Sequence, residues 1–162
     1  MTEPDRPRET AFSTPSDREL AVTRVFDAPR AVVFDAWTNP GRIKDWMLGP
    51  EGWTMPVCEV DLRDGGVWRF VWRSSQGREM SMQGVYREVE PPWRMIFTET
   101  WGGDWPPTLN TLILEDEGEK TRLTCTVEYV STGARAAAFS TGMSEGMTQS
   151  LDRLAAHLAA RP

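Results

Sequence analysis

The feature that most constrains this chain is a change of hydrophobic period at Val130. Six strand-like runs precede it, "VCEVDLRD", "VWRFVWR", "EMSMQGVYREV", "RMIFTETW", "TLNTLILE" and "TRLTCTVEYV". Turn signals separate them at short spacing, which indicates an antiparallel meander. After Val130 the stretch "GARAAAFSTGMSEGMTQSLDRLAAHLAARP" follows a period of 3.6 to its end. Read as one helix it would be ~40 Å long. Phe139, Met143, Met147, Ser150, Leu151, Leu154 and Leu158 would then share one face.

Upstream, "ELAVTRVFD" alternates as a first strand, with Leu20, Val22 and Arg24 on one side. Pro29 suits the first turn of a helix, with Asp27 as its cap and Val32, Val33, Ala36 and Trp37 facing inward. The Asn39–Pro40 pair ends that helix, and "GRIKDWM" forms a short second one. Residues 1–17 carry three prolines, little hydrophobicity and no periodicity, so they are expected to be a disordered tail before a domain at 18–162. No internal repeat is evident.

The stretch "EVDLRDGGVWRFVW" admits three readings: a phosphate loop, an acid–base pair or a chain reversal. A phosphate loop needs a helix after its glycines, and here a strand former follows. The reversal accounts for more, because "RDGG" supplies turn residues. It leaves a testable pairing in the next hairpin, with Arg73 facing Glu79 across "SSQGR". Trp72 then lies by Met80, Phe70 by Met82 and Trp68 by Gly84, all on one face. Val71/Ser81 and Arg69/Gln83 fall on the other. Asp61, Arg63 and Asp64 become outward and turn positions.

Composition narrows the function classes. A formal charge of −6 argues against a nucleic-acid or anionic-membrane partner, which would call for a basic face. No run approaches the ~20 apolar residues of a membrane span. The N-terminal stretch lacks the apolar core of a signal peptide, so a cytoplasmic protein is expected. One histidine and two separated cysteines make a zinc site improbable, and Cys58 and Cys125 are expected as free buried thiols, with a disulfide between them as the alternative. No metal or cofactor is expected. Arginine far outnumbers lysine (Lys44 and Lys120 only), which points to a GC-rich bacterial genome.

Five motifs in order, "FDAPRAVVFDAWTNP", "WMLGPEGWT", "VDLRDGGVWRF", "GVYREVEPPWRMIFT" and "GMSEGMTQSLDRL", give the chain a family likeness over residues 18 to 160. It resembles the domain shared by activators of the ninety-kilodalton heat-shock chaperone's ATPase and their bacterial homologues. These belong to the START-like, polyketide-cyclase (SRPBCC) superfamily. The resemblance implies an α+β helix-grip fold: a curved antiparallel sheet wrapped around a long C-terminal helix, two short helices after the first strand, and a cavity between sheet and helix. Relatives commonly carry an aromatic where this chain has Met147, so no relative's ligand is carried over.

Eight tryptophans and eight methionines exceed what a dense core of this size takes up, so some should line an apolar pocket. The expected lining is Trp46, Trp68, Phe70, Trp72, Met80, Met82, Tyr86, Trp101, Met143 and Met147, with Glu99 and Asn110 as polar groups. Gly142 and Gly146, a turn apart on the helix with Ser150 beyond, either let it lie close on the sheet or leave room for a ligand beside the methionines. Glu99 shares the face of Phe97 and Trp101 by alternation. If that face is concave, its pKa should rise. A one-residue shift would turn Ile96, Thr98 and Thr100 inward instead. Asn110 falls near Cys125 if Leu112 opposes Leu123. His157 reads as a helix-surface residue.

The leading expectation is a bacterial protein that binds a small hydrophobic molecule. The alternatives are a cyclase/aromatase- or hydrolase-like enzyme, for which Glu99 is the catalytic candidate, and a chaperone-interacting module. The eukaryotic activators use an additional domain, so chaperone contact is the weakest of the three. An exposed edge strand would allow a homodimer, which nothing in the sequence demands.

Overall fold

A computed structural model describes residues 10–103 and 105–160. Eight strands form one sheet: β1 (Ala11–Ser13), β2 (Glu19–Phe26), β3 (Trp53–Val60), β4 (Val67–Ser74), β5 (Glu79–Glu90), β6 (Arg94–Glu99), β7 (Thr108–Glu117) and β8 (Lys120–Glu128). Their order is β1-β2-β8-β7-β6-β5-β4-β3, so β3 to β8 are the expected meander and β2 closes onto β8. The β4–β5 register pairs Arg73 with Glu79, Trp72 with Met80, Phe70 with Met82 and Trp68 with Gly84, as side-chain alternation required. Arg73 donates to Glu79 Oε2 at 2.6 Å.

The "RDGG" segment is a reversal. Asp64 Oδ1 accepts from the Val89 backbone N–H at 2.8 Å, and Arg63 pairs with Asp61 at 2.9 Å. Each acidic side chain thus has a structural partner, and the two do not converge on a cavity.

Helix α1 (Arg30–Thr38) and helix α2 (Pro40–Trp46) follow β2. Pro29 is the N-cap of α1, and Asp27 ion-pairs with Lys120 at 3.3 Å instead of capping. Asn39 caps α2 by accepting from the Gly41 N–H at 3.0 Å.

Two expectations need correction. Ala11–Ser13, inside the stretch expected to be a tail, pairs with β2, so polar sequence did not preclude a strand where an edge offered free backbone groups. Residues 1–9 lie outside the described residues. The C-terminal segment is also two helices, α3 (Thr132–Phe139) and α4 (Met143–Ala160), rather than one. Gly142 takes φ +82°, a conformation that ends helices and that glycine adopts without strain. Ser140 and Thr141 hydroxyls donate to the Ala137 and Ala138 carbonyls at 2.8 and 2.6 Å, satisfying acceptors freed by the break. Phe139 is therefore 48% exposed instead of joining the apolar stripe.

Helix α4 buries Ser150, Leu151, Leu154 and Leu158 into the same core as Trp68, Phe70 and Trp72. Polar contacts pin its C-terminal two-thirds. Ser150 Oγ accepts from the Gly49 N–H at 2.8 Å, and Arg153 donates to the Gly49 carbonyl. Arg42 donates to His157 Nε2 at 3.1 Å, which gives the half-buried histidine a structural role. Asp152 pairs with Arg24, an inward β2 side chain only 6% exposed. By contrast α3 buries no residue at all.

Candidate functional site

The inner face of the sheet carries a wall of aromatic and sulfur side chains. Trp68, Phe70, Trp72, Met82, Tyr86 and Phe97 are all buried there. Trp68 meets Phe70 and Phe97 at ring separations of 4.9 and 5.9 Å, the second edge-on, an arrangement favoured by ring quadrupoles. Gly84 makes this packing feasible, since a side chain there would collide with the indole of Trp68 and the Thr98 carbonyl.

A polar row crosses this wall. Tyr86 opposes Phe97 and Gln83 bridges to Thr100, which sets Gly84 beside Glu99. Glu99 opposes Thr108 on β7. Continuing the β7–β8 register, in which Leu109 opposes Glu128, places Tyr129 next to Thr108. One rung away lies Asn110, buried and paired with Phe97 and Val127, its Nδ2 donating to Thr108 Oγ1 at 3.0 Å. Leu112 opposes Cys125 rather than Leu123, a two-residue difference from expectation that leaves the same side chains facing inward.

Glu99 sits at the end of this row and is half-buried. Trp101 donates from Nε1 to Glu99 Oε1 at 2.8 Å. Trp101 also stacks on Trp72, 5.6 Å apart and 17° from parallel. Trp72 in turn donates from Nε1 to the Met47 carbonyl at 2.7 Å, two residues before the Gly49 that is tied to α4. Loss of water raises the Glu99 carboxyl to about 7, and the Trp101 hydrogen bond only partly offsets this. Its charge reaches Cys125 and Tyr129, and together with burial, the larger cause, it raises both to about 12. Tyr129 donates its hydroxyl to Met143 Sδ at 3.3 Å, joining the row to the first residue of α4. Across the wall, burial raises the Cys58 thiol to about 11 and lifts the Tyr86 hydroxyl still further above its ordinary range. Both cysteines are free.

The expected lining residues therefore divide. Trp68, Phe70, Trp72, Met82, Tyr86, Glu99 and Asn110 converge on one face, with Trp101 over its end and Met143 and Met147 half-buried on the helix side. Trp46 joins their core from the short helices rather than from the sheet face. It is 1% exposed between the short helices, 5.1 Å from Trp37, with Nε1 donating to the Ala36 carbonyl at 2.9 Å. Met80 opposes Trp72 but is 44% exposed at the hairpin's outer end. Sequence reasoning missed Thr108 and Tyr129. The alternation Leu123, Cys125, Val127, Tyr129 was the signal for the latter.

Two concavities open elsewhere. One, of about 140 Å³, lies between β2 and α4 and is lined by Arg24, Phe26, Ala155 and Leu158 among others. The other is a shallow depression of about 420 Å³ at Pro50, Glu51, Gln149, Asp152 and Arg153. Neither touches the aromatic wall, where Trp68 Nε1 is buried without a hydrogen-bond partner. Among the described residues no cluster of potential metal ligands occurs, and no helix is long and apolar enough to cross a membrane.

The strand order, the two short helices and the C-terminal helix laid over an aromatic inner face make this a helix-grip fold. A family described as activator of Hsp90 ATPase homolog 1-like protein matches residues 27–159. The chain belongs to that family. Among solved structures, a protein from Rhodobacter sphaeroides is 31% identical with a TM-score of 0.89, covering 94% of this chain and 99% of that one. A protein of the family from Silicibacter pomeroyi is 26% identical with a TM-score of 0.75 and coverages of 89% and 99%. A further solved protein, from Nitrosomonas europaea, is 25% identical with a TM-score of 0.80, covering 90% and 96%. No curated protein matches the chain.

Proposed function

We propose that this protein binds a small, mainly apolar molecule against the aromatic wall, at the end closed by Trp72, Trp101 and the first turns of α4. The observation that carries this reading is the inward polar row ending at Glu99, set in apolar surroundings. A wall that served packing alone would be expected to exclude a carboxyl that desolvation raises to about 7. Room for the molecule comes from α3 and the first turns of α4. The helix break at Gly142 and the absence of buried residues in α3 make this the least tightly held part of the layer over the sheet.

The test is titration with the uncharged fluorescent probe N-phenylnaphthylamine, alongside native mass spectrometry of gently purified protein. Saturable, stoichiometric binding is expected, abolished by Met147→Arg with the circular dichroism spectrum retained. A probe that never saturates, or that binds the arginine variant equally, would remove the reading.

A second reading rests on the same carboxyl. A group titrating near neutrality is suited to proton transfer, so a cyclase- or hydrolase-like reaction would use Glu99 as its acid or base. Turnover of a bound molecule, lost in Glu99→Gln, would separate this from binding alone. Contact with a chaperone is supported by the family's description only. A pull-down that enriches no chaperone would dispose of it.

A further inference from the structure

We infer that the molecule held at this site carries a positively charged nitrogen beside its apolar body, an inference that rests on the binding reading above. Glu99 is the acidic group of the inner polar row, and its environment lacks a counter-charge. Trp101 occupies Oε1 at 2.8 Å, and no described side chain bonds to Oε2. No described lysine or arginine pairs with it. Arg73, Arg94 and Arg122 pair with Glu79, Glu88 and Glu117 on the solvent side, and the inward Arg24 is engaged by Asp152. What surrounds the carboxyl is π surface and neutral polar groups: the stacked Trp72 and Trp101, Phe97, Thr108 and Tyr129.

That combination selects by charge. An ammonium placed against a carboxylate and an indole or phenol face gains from both, and the low-dielectric setting strengthens each interaction. A carboxylate-bearing molecule, such as a fatty or aromatic acid, would face repulsion from Glu99 with no cation to offset it. A plain hydrocarbon would leave the carboxyl desolvated and unpaired. The overall charge of −6 further favours the approach of a cation. The titratable groups that feel Glu99 are Cys125 of β8 and Tyr129 just beyond it. Both stay protonated and uncharged at neutral pH. Glu145, in the first turn of α4, is exposed.

Three matched probes test this by displacement of N-phenylnaphthylamine: naphthylethylamine, naphthylethanol and ethylnaphthalene. They share one ring system and differ in the terminal group. At about pH 8, where Glu99 is ionised, the amine should bind about tenfold more tightly than either neutral probe. That preference should fall to near parity in Glu99→Gln. In the unaltered protein it should shrink at about pH 5.5, where the carboxyl is largely protonated while the amine keeps its charge. The pH comparison needs no variant and stands even if Glu99→Gln folds poorly. If ethylnaphthalene displaces the dye but the amine is no tighter, or if naphthylethanol matches the amine, the charge inference is overturned and the apolar pocket survives. A preference that persists in Glu99→Gln overturns the assignment to Glu99. If the dye binds saturably and none of the three displaces it, the charge inference is overturned; if the dye itself does not bind, the pocket is refuted and this inference with it.

Discussion

Replacing Gly84 by alanine should weaken the domain by forcing apart two paired strands. A methyl at that position would lie 1.8 Å from the Thr98 carbonyl oxygen and 2.8 Å from Trp68 Cζ2. The carbonyl belongs to a paired strand and the indole is buried, so neither can yield alone. Relief requires β5 and β6 to part where Gln83 and Thr100 exchange two backbone hydrogen bonds of 3.0 and 2.8 Å. Losing both removes ~2 kcal/mol, and overpacking the wall adds ~1–3 kcal/mol. The expected loss is about 3–5 kcal/mol, or a fall in Tm of roughly 10 °C for a domain of this size. Urea unfolding followed by tryptophan fluorescence and circular dichroism would measure it. Gly77→Ala is the control: it has open space at φ +84° and should lose only ~1 kcal/mol of backbone strain. If Gly84→Ala loses no more than Gly77→Ala, the close approach at the centre of the wall is wrong.

Glu99→Gln should stabilise the protein at high pH. Because folding raises this carboxyl from 4.5 to about 7, the folded state favours the protonated form. Stability is therefore fully present below pH ~4.5 and declines as pH rises through about 7, so the variant should gain ~1–3 kcal/mol at about pH 8 and nothing at about pH 4. Identical pH profiles of urea midpoints would refute this. Asp152→Ala strands the Arg24 guanidinium, only 6% exposed, and should reduce stability by ~2–4 kcal/mol. Adding Arg24→Met should recover most of it in the same unfolding assay, and no recovery would argue against a stranded charge as the cause. Cys125 is buried and Cys58 half-buried, with thiols raised to about 12 and 11. Both should react slowly with a thiol reagent at about pH 8 in the native protein and promptly once unfolded. Fast native labelling of Cys125 would contradict its placement.

The sequence determined the meander, the register of the β4–β5 hairpin and the aromatic face it builds. Strand alternation is a local rule, and only one pairing put Trp68, Phe70 and Trp72 together with Arg73 opposite Glu79. The face of Glu99 was legible for the same reason, but its neighbours were not. Whether Thr108 and Tyr129 join its row depends on pairings between strands far apart in the chain, and a two-residue slip at Leu112 leaves the hydrophobic pattern intact. The helix break was missed because "STGM" continues the 3.6 period even though Gly142 lies at positive φ. Periodicity records which side chains could share a face, and backbone torsion decides whether they do. Trp46 and Met80 carry the same warning. Composition marked both as pocket residues, yet packing between the short helices buries one and the overhanging hairpin end exposes the other. Only the tertiary structure decided that Glu99 meets an indole N–H and no cation among the described residues, because an environment made by β4, β6, β7 and the end of β8 together is written in no single stretch of the chain.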